Sequence, residues 1–462
     1  MLFNSHVFLF AFLPVVLAGW WGLRRWARTR LVFLALSSYF FYGWWNWHFV
    51  PLLITTTTAD YLAGHAIVRT EDERKRRTYL VAALTLNLVL LGYFKYVGFF
   101  LHSANSVGGF FGAGHPFPAL RVLLPIGISF YTFNSMSYTI DIFRRRVKPA
   151  SSPVHYAAFV SMFPHLIAGP IVRYADIEDQ LRRLRPKLTS DYAATGLFFF
   201  GTGLVKKVIV ADSLAPHIDR LFAAHAHLGL VSGWAAGLGY ALQRYFDFSG
   251  YSDMAVGLAF GLGFRFPQNF NSPYKAQNIS DFWRRWHMTL SFWFRDYVFI
   301  PLGGSRGGRI RTLRNLAITM LLGGLWHGAA FTFVVWGLLH GVYLIVHTVC
   351  RTAGLTPSSA TLNRAVTFVA VVAAFVIFRA PSLTDGWDVL ASMTGVRGLG
   401  TANVGVGLLA AIAGLVAFVN LAPNTWEIRL AWRPAYGVAL GIATAAAILM
   451  ISGPTPFLYF RF

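Results

Sequence analysis

The chain reads as an all-α polytopic integral membrane protein, and three observations predict this. Of its 462 residues, 56% are hydrophobic and only 13% are charged, where a soluble domain carries roughly 25% charged residues. Apolar stretches of about 18 or more residues recur along most of the chain, for example at 5–22, 79–101 and 404–421; each can cross a bilayer as a helix. Lysine and arginine cluster between these stretches, at 24–30, 69–77, 144–148, 182–187 and 306–314, as they do in cytoplasmic loops. That placement assigns the net charge of +22 to membrane topology and argues against nucleic-acid binding. The single Cys350 excludes an internal disulfide, a Cys–Cys zinc site and a redox pair, and no metal site is expected. One membrane domain over 1–462 is predicted, with a core at about 80–350 and peripheral helices in 1–78 and 360–462.

The basic loops order the crossings. Met1-Leu-Phe-Asn-Ser-His6 lacks the basic start of a secretory signal, so 5–22 is expected to remain as a span. It ends at the bases of 24–30, which puts the N-terminus outside. Stretch 31–46 ends in Trp44, Trp45 and Trp47, an aromatic belt at the outer interface. Stretch 49–68 returns to the bases of 69–77, 78–101 goes out, and 119–143 comes back to Arg144-Arg-Arg-Val-Lys148.

At 153–172 the alternation fails. Both ends lie beside basic clusters, yet Phe159-Val-Ser-Met-Phe-Pro-His-Leu-Ile-Ala-Gly-Pro170 is apolar and interrupted by two prolines and a glycine. Irregular backbone at membrane depth survives only where it is buried in protein or lines a cavity. A re-entrant element is therefore predicted.

The middle, about 190–314, does not resolve into simple crossings. Lys206 and Lys207 interrupt one apolar run, and Phe246-Asp-Phe-Ser-Gly-Tyr-Ser-Asp253 sets two carboxylates between apolar flanks. Residues 281–302 read as one aromatic and basic amphipathic helix at the interface, capped by Ser280 or Asp281 and ended by Pro301-Leu-Gly-Gly-Ser305. Ordinary spans resume at 313–330, 332–349, 364–380, 404–421 and 435–452. About eleven spanning or near-spanning segments result, without the internal repeat that many transporters carry.

Chemistry points to two histidines. His327 lies in Met320-Leu-Leu-Gly-Gly-Leu-Trp-His-Gly-Ala-Ala330, an ionisable group inside an apolar span, where such groups are costly and mark function by default. Its helical neighbours are Gly323, Gly324, Ala330 and Phe331. Three of the four are nearly without side chain, which leaves a slot for a thin substrate. A neutral imidazole there can accept a hydroxyl proton. The same Gly324-Leu-Trp-His-Gly328 string also suits close helix packing. His287, in Asp281-Phe-Trp-Arg-Arg-Trp-His-Met-Thr-Leu-Ser291, has Trp283, Arg284 and Ser291 at helical spacing and suits a mouth that receives an anionic donor. It suits an interfacial aromatic belt equally.

Lys275, Arg284, Arg285, Arg295 and the bases of 306–314 offer phosphate-binding groups, such as a coenzyme A donor would need. Positive-inside loops and anionic membrane lipids account for the same residues. Asp247 and Asp253 either line a polar passage or act as buried glue. His6, His48, His102, His115, His225 and His227 fall near segment ends and are expected in water; His165 and His340 lie in apolar surroundings.

Long strings of this chain resemble the membrane-bound O-acyltransferases. They are Asn269-Phe-Asn-Ser-Pro-Tyr-Lys-Ala-Gln-Asn-Ile-Ser-Asp-Phe-Trp-Arg-Arg-Trp-His-Met-Thr-Leu-Ser291, Arg295-Asp-Tyr-Val-Phe-Ile-Pro-Leu-Gly-Gly-Ser-Arg306 and Gly323-Gly-Leu-Trp-His-Gly-Ala-Ala330. The likeness is greatest to the bacterial alginate O-acetylation branch and extends from Met1-Leu-Phe-Asn-Ser5 to Tyr459-Phe-Arg-Phe462. Phe331 stands where relatives often carry Trp, and Phe292 and Phe294 replace smaller or aliphatic residues.

The resemblance implies a ring of tilted helices around a thinned centre, with re-entrant elements and a central tunnel. His327 matches the family's catalytic histidine and His287 its second active-site histidine. Lys275, Trp283, Arg284, Arg285, Ser291, Arg295, Gly323, Gly324 and Trp326 are then expected to contact donor or substrate. The expected reaction is O-acetyl transfer in the bacterial inner membrane, from a cytoplasmic donor, acetyl-CoA, to hydroxyls of an exported polysaccharide. Transfer is direct or passes through a periplasmic acetyltransferase, and no bound cofactor is expected. D-alanyl or peptidoglycan O-acyl transfer is the nearest rival. From another class, a solute or lipid transporter fits the same residue types.

Overall fold

The computed structural model describes residues 1–111, 117, 118, 120, 122–401, 404–428 and 434–451, and every regular element among them is helical. His115 and the closing string ending at Phe462 lie outside the described residues. Among the described residues four helices are long and apolar enough to cross a bilayer: Glu73–Phe110, Ser190–Ala223, Phe331–Thr352 and Ala360–Arg379. Three further apolar helices, Phe8–Gly22, Val406–Leu421 and Pro434–Leu449, are shorter. The remaining segments of the about eleven expected as spanning or near-spanning include shorter or more polar helices, such as Ala27–Gly43 and Ile128–Phe143.

The described residues cluster into two compact units, 1–200 with 254–267 and 201–253 with 268–462. In the first unit the helix Ile128–Phe143 is buried along nearly its whole length, against Val50–Arg69 and Glu73–Phe110. Gly127 starts it at φ +77°, and a Cβ there would stand 2.6 Å from the Leu166 carbonyl oxygen, so only glycine fits. The irregular stretch becomes two short helices, Pro153–Val160 and Phe163–Leu166, each with proline in its first turn. Pro fits there because a first-turn N–H has no intrahelical acceptor to lose. Ser152 caps the first by accepting from the His155 N–H at 3.2 Å. All of 158–172 is buried, which satisfies the rule that broken backbone hides in protein. His165 is fully buried, its Nδ1 at 3.2 Å from the Asn134 amide nitrogen.

In the second unit, Lys206 and Lys207 open a π-helical turn, Lys206–Asp212, inside Ser190–Ala223. The helix Leu230–Gly261 passes close by at Gly250, where a Cβ would meet the Gly203 carbonyl oxygen at 2.7 Å. The approach brings two ion-paired groups together. Lys207 Nζ lies 2.7 Å from Asp212 and 2.6 Å from Asp247, and Lys206 Nζ lies 2.7 Å from Asp253 and 2.6 Å from Thr425. Thr425 Oγ1 in turn donates to Asp253 at 2.8 Å. Asp247 and Asp253 are thus buried electrostatic glue.

The helices Arg309–His327 and Phe331–Thr352 pack as a tight pair joined by three residues. Their crossing is glycine on glycine: a Cβ at Gly324 would run into the Phe333 carbonyl oxygen and stand 2.9 Å from Gly337 Cα. One at Gly337 would meet the Met320 carbonyl oxygen at 2.5 Å. Because the obstacles are backbone, they yield only if the helices separate. Gly324→Ala is therefore expected to lower stability by about 1–3 kcal/mol, the usual cost of overpacking. Gly407→Ala, with nothing within 4 Å of its Cβ, is the control that should leave a detergent-solubilised melting curve where it was.

Candidate active site

The site lies wholly within the second unit. The single amphipathic helix expected over 281–302 does not form. The chain makes Ile279–Trp283, then Met288–Phe294, then a π turn Arg295–Phe299, with a break at His287. Asn278, and not Ser280 or Asp281, caps the first piece, its side chain accepting from the Asp281 N–H at 2.8 Å. His287 is held at φ +42°, a left-handed conformation that is strained for a residue with a Cβ. Helical i±3 and i±4 neighbours therefore do not describe its surroundings.

Its surroundings come instead from distant segments. The ring is fully buried and its Nδ1 lies 3.0 Å from Asn269 Oδ1. The same amide oxygen accepts from Thr289 Oγ1 at 2.9 Å, and the Asn269 amide nitrogen donates to Ser252 Oγ at 3.0 Å. An amide oxygen only accepts, so Nδ1 carries the proton and Nε2 the lone pair of the neutral ring. Phe248 packs edge-on against the imidazole at 4.6 Å, and Arg244, itself buried, sets a positive charge close enough to act on it.

His327 is the last residue of Arg309–His327, and 5% of it is exposed. Three aromatic rings meet the imidazole edge to face: Trp326 at 5.0 Å, Trp336 at 5.0 Å and Phe378 at 5.2 Å. Trp326 also packs against His287, at 5.9 Å. The two imidazoles, 40 positions apart in the chain, thus stand against one indole.

A cavity of about 400 Å³ opens beside His327. Of the expected contact residues, Trp283, Arg284, Ser291, Arg295, Gly323 and His327 line it. Arg284 and Arg295 are exposed and His327 is buried, so the lining runs from cationic, solvated side chains to an imidazole in an aromatic cage. Gly323 leaves room: a Cβ there would find only Phe294, at 3.9 Å. The others lie off this wall. Gly324 sits in the helix crossing. Lys275 Nζ donates to the Ala422 carbonyl at 2.7 Å, and Arg285 is paired with Asp281 at 2.9 Å. Trp326 separates the histidines and is not part of the cavity wall.

Sequence reading missed Asn269 and Arg244. Asn269 stands in a quoted motif but carries no distinctive chemistry alone. Arg244 had a signal, an arginine inside the apolar run of 230–245; its guanidinium lies 3.8 Å over Phe378, the ring that also touches His327.

Comparison with known proteins assigns this architecture. The membrane-bound O-acyltransferase family model matches residues 39–384. The chain belongs to the membrane-bound O-acyltransferase family. It is 45% identical to a probable alginate O-acetylase AlgI of Azotobacter vinelandii over 397 residues, 85% of this chain and 78% of the relative. It is 39% identical to a peptidoglycan O-acetyltransferase of Helicobacter pylori, over 86% of this chain and 81% of the relative. A teichoic acid D-alanyltransferase of Bacillus subtilis is 30% identical over 56% of this chain and 67% of the relative. This membrane-bound O-acyltransferase is accordingly an enzyme and a multi-pass membrane protein. In it, Asn269→Leu should lower acyl-transfer kcat/KM on the order of 100-fold, the usual effect of a misoriented catalytic group. Asn269→Asp, which keeps an acceptor oxygen toward Nδ1, should retain much more. Equal losses in the two variants, with equal melting temperatures, would remove the orienting role.

Proposed function

We propose that this enzyme moves an acetyl group from a cytoplasmic donor, acetyl-CoA, to a hydroxyl of an exported polysaccharide such as alginate. It does so in the bacterial inner membrane, either directly or through a periplasmic acetyltransferase. The single observation that carries this reading is His327 on the wall of a cavity whose lining includes exposed Arg284 and Arg295. The Arg284 guanidinium suits the phosphates of the donor, Arg295 adds a cation partly balanced by Asp296, and the imidazole suits the acceptor hydroxyl. The high identity to probable alginate O-acetylases, well above that to the D-alanyltransferase, favours acetyl over D-alanyl.

In the reaction, His327 takes the proton of the acceptor hydroxyl as its oxygen attacks the thioester carbonyl. The tetrahedral intermediate collapses to the ester, and the thiolate leaves and recovers the proton from the imidazolium. Two roles are open to His287, to orient the donor or to stabilise the oxyanion. Its Nδ1–H is engaged by Asn269, so the neutral ring offers a lone pair at Nε2 and not an N–H. That favours an orienting role over stabilisation of the oxyanion. A ring of tilted helices around a thinned centre, with a tunnel joining the two faces, would let donor and acceptor arrive from opposite sides.

Purified protein given acetyl-CoA labelled in the acetyl group tests the reading. Thioester cleavage or label transfer, lost in His327→Ala, is the expected outcome. No turnover in the unaltered protein, alone or with its periplasmic partner, would falsify it. Glycan analysis of a deletion strain identifies the acceptor: loss of acetyl groups from peptidoglycan instead of an exopolysaccharide would move the protein to the reading suggested by the Helicobacter relative.

A further inference from the structure

Beside the cavity stands a second cluster that the mechanism above does not use. His340 lies one helical turn beyond Trp336 on Phe331–Thr352, so both face the same way. Trp283, the last residue of Ile279–Trp283, meets them. The three rings are in mutual contact, with centroids 4.7 Å apart for Trp336 and His340, 5.0 Å for Trp283 and His340, and 5.8 Å for Trp283 and Trp336. His340 is completely buried. Both of its ring nitrogens and both indole N–H groups are inaccessible and make no hydrogen bond within the protein, among the described residues.

Buried polar atoms are nearly always paired, since leaving them unmet forfeits their solvation. Trp283 and Trp336 also line the cavity that holds His327. The cluster offers two indole donors, together with an imidazole that donates at one nitrogen and accepts at the other. It contains no charge. That set suits a neutral group that both accepts and donates, as a secondary amide does, and it suits a phosphate or carboxylate poorly.

We propose that Trp283, Trp336 and His340 form a binding point for an amide group in the flexible arm of the acyl donor. Resting on the donor assignment above, this divides the cavity's work. Arg284 and Arg295 take the anionic end, the cluster takes an amide between that end and the thioester, and His327 meets the acyl carbon. An amide-bearing arm is common to coenzyme A and to an acyl carrier protein, and the test separates these sources.

The full-length enzyme in detergent is assayed with acetyl-CoA, with an acetylated acyl carrier protein, and with S-acetyl-mercaptoethanol, a thioester without amides. The readout is the ratio of kcat/KM for each amide-bearing donor to that for the amide-free one. Trp283→Phe and His340→Phe keep a ring and remove the polar atoms. Each should lower the ratio about ten-fold, the size of one lost hydrogen bond, for whichever donor is used. His340→Gln, which restores a donor and an acceptor, should recover most of it. An unchanged ratio in both phenylalanine variants overturns the proposal, as does an equal fall for the amide-free thioester. If the unaltered enzyme consumes the amide-free thioester as well as the other two, the amide site fails while the acyltransfer reading stands. If it consumes none of the three, the donor assignment fails and takes the amide site with it. Should Trp283→Phe not fold, as judged by gel filtration, His340→Phe against His340→Gln decides.

Discussion

His327→Ala abolishes acyl transfer while the protein still accumulates in the membrane: this is the largest expected effect on activity. The imidazole is 5% exposed and touched by three aromatic edges, and none of those contacts anchors the fold as the Gly324–Gly337 crossing does. Removing the ring should therefore cost chemistry more than stability. A general base contributes on the order of 10²–10⁴-fold. Residual transfer should fall within that range, measured by label transfer from acetyl-CoA at matched protein levels. His327→Gln separates the two functions of the ring, because an amide fills the space but takes up no proton at neutral pH. It should be as inactive as the alanine variant. Near-normal transfer in either one, at normal membrane abundance, excludes proton transfer by His327.

The largest effect on stability is expected at Lys207. Its ammonium, 2% exposed, is shared by Asp212 and Asp247, the latter 1% exposed. Lys207→Met removes the cation that the two carboxylates share, and breaking a buried pair this way costs about 3–5 kcal/mol. Asp247→Leu should cost less, because Asp212 remains to balance Lys207. Restoring an apolar pair by combining Lys207→Met with Asp247→Leu should recover part of the loss. The three melting temperatures in detergent form a cycle that measures the coupling. If the double variant loses the sum of the two single losses, the pair is not coupled, and Asp247 returns to the other reading of the motif, a polar passage. The charged group would then be tested by transport or proton-leak measurements.

Much of the fold was legible because its signals are local. Length and hydropathy alone placed the helices Phe331–Thr352, Ala360–Arg379 and Val406–Leu421 within a few residues of the observed ends. A helix that satisfies its own backbone in lipid needs only a run of apolar residues. The proline-interrupted stretch of 153–172, buried throughout from 158 on, was likewise visible, since proline and glycine break a helix wherever they stand. The long helix expected across His287 was not observed. Its residues have good helical periodicity, but Asn269, Ser252 and Thr289 together stabilise a left-handed break that no window of the sequence contains.

Residue type by itself determined that this is a helical membrane protein and singled out His327 and His287 as candidates, because ionisable side chains are rare in apolar sequence; their packing and interfacial readings stayed open at that level. Tertiary structure alone decided which bases serve the cavity. Arg284 and Arg295 line it, the latter also paired with Asp296 at 2.7 Å, whereas Lys275 and Arg285 lie off its wall and are held by Ala422 and Asp281. It also decided that Asp247 and Asp253 are paired glue, and that both imidazoles rest on Trp326. A charge pattern along the chain says how many cations exist; which of them meets a carboxylate, a carbonyl or a cavity depends on segments brought together only by folding.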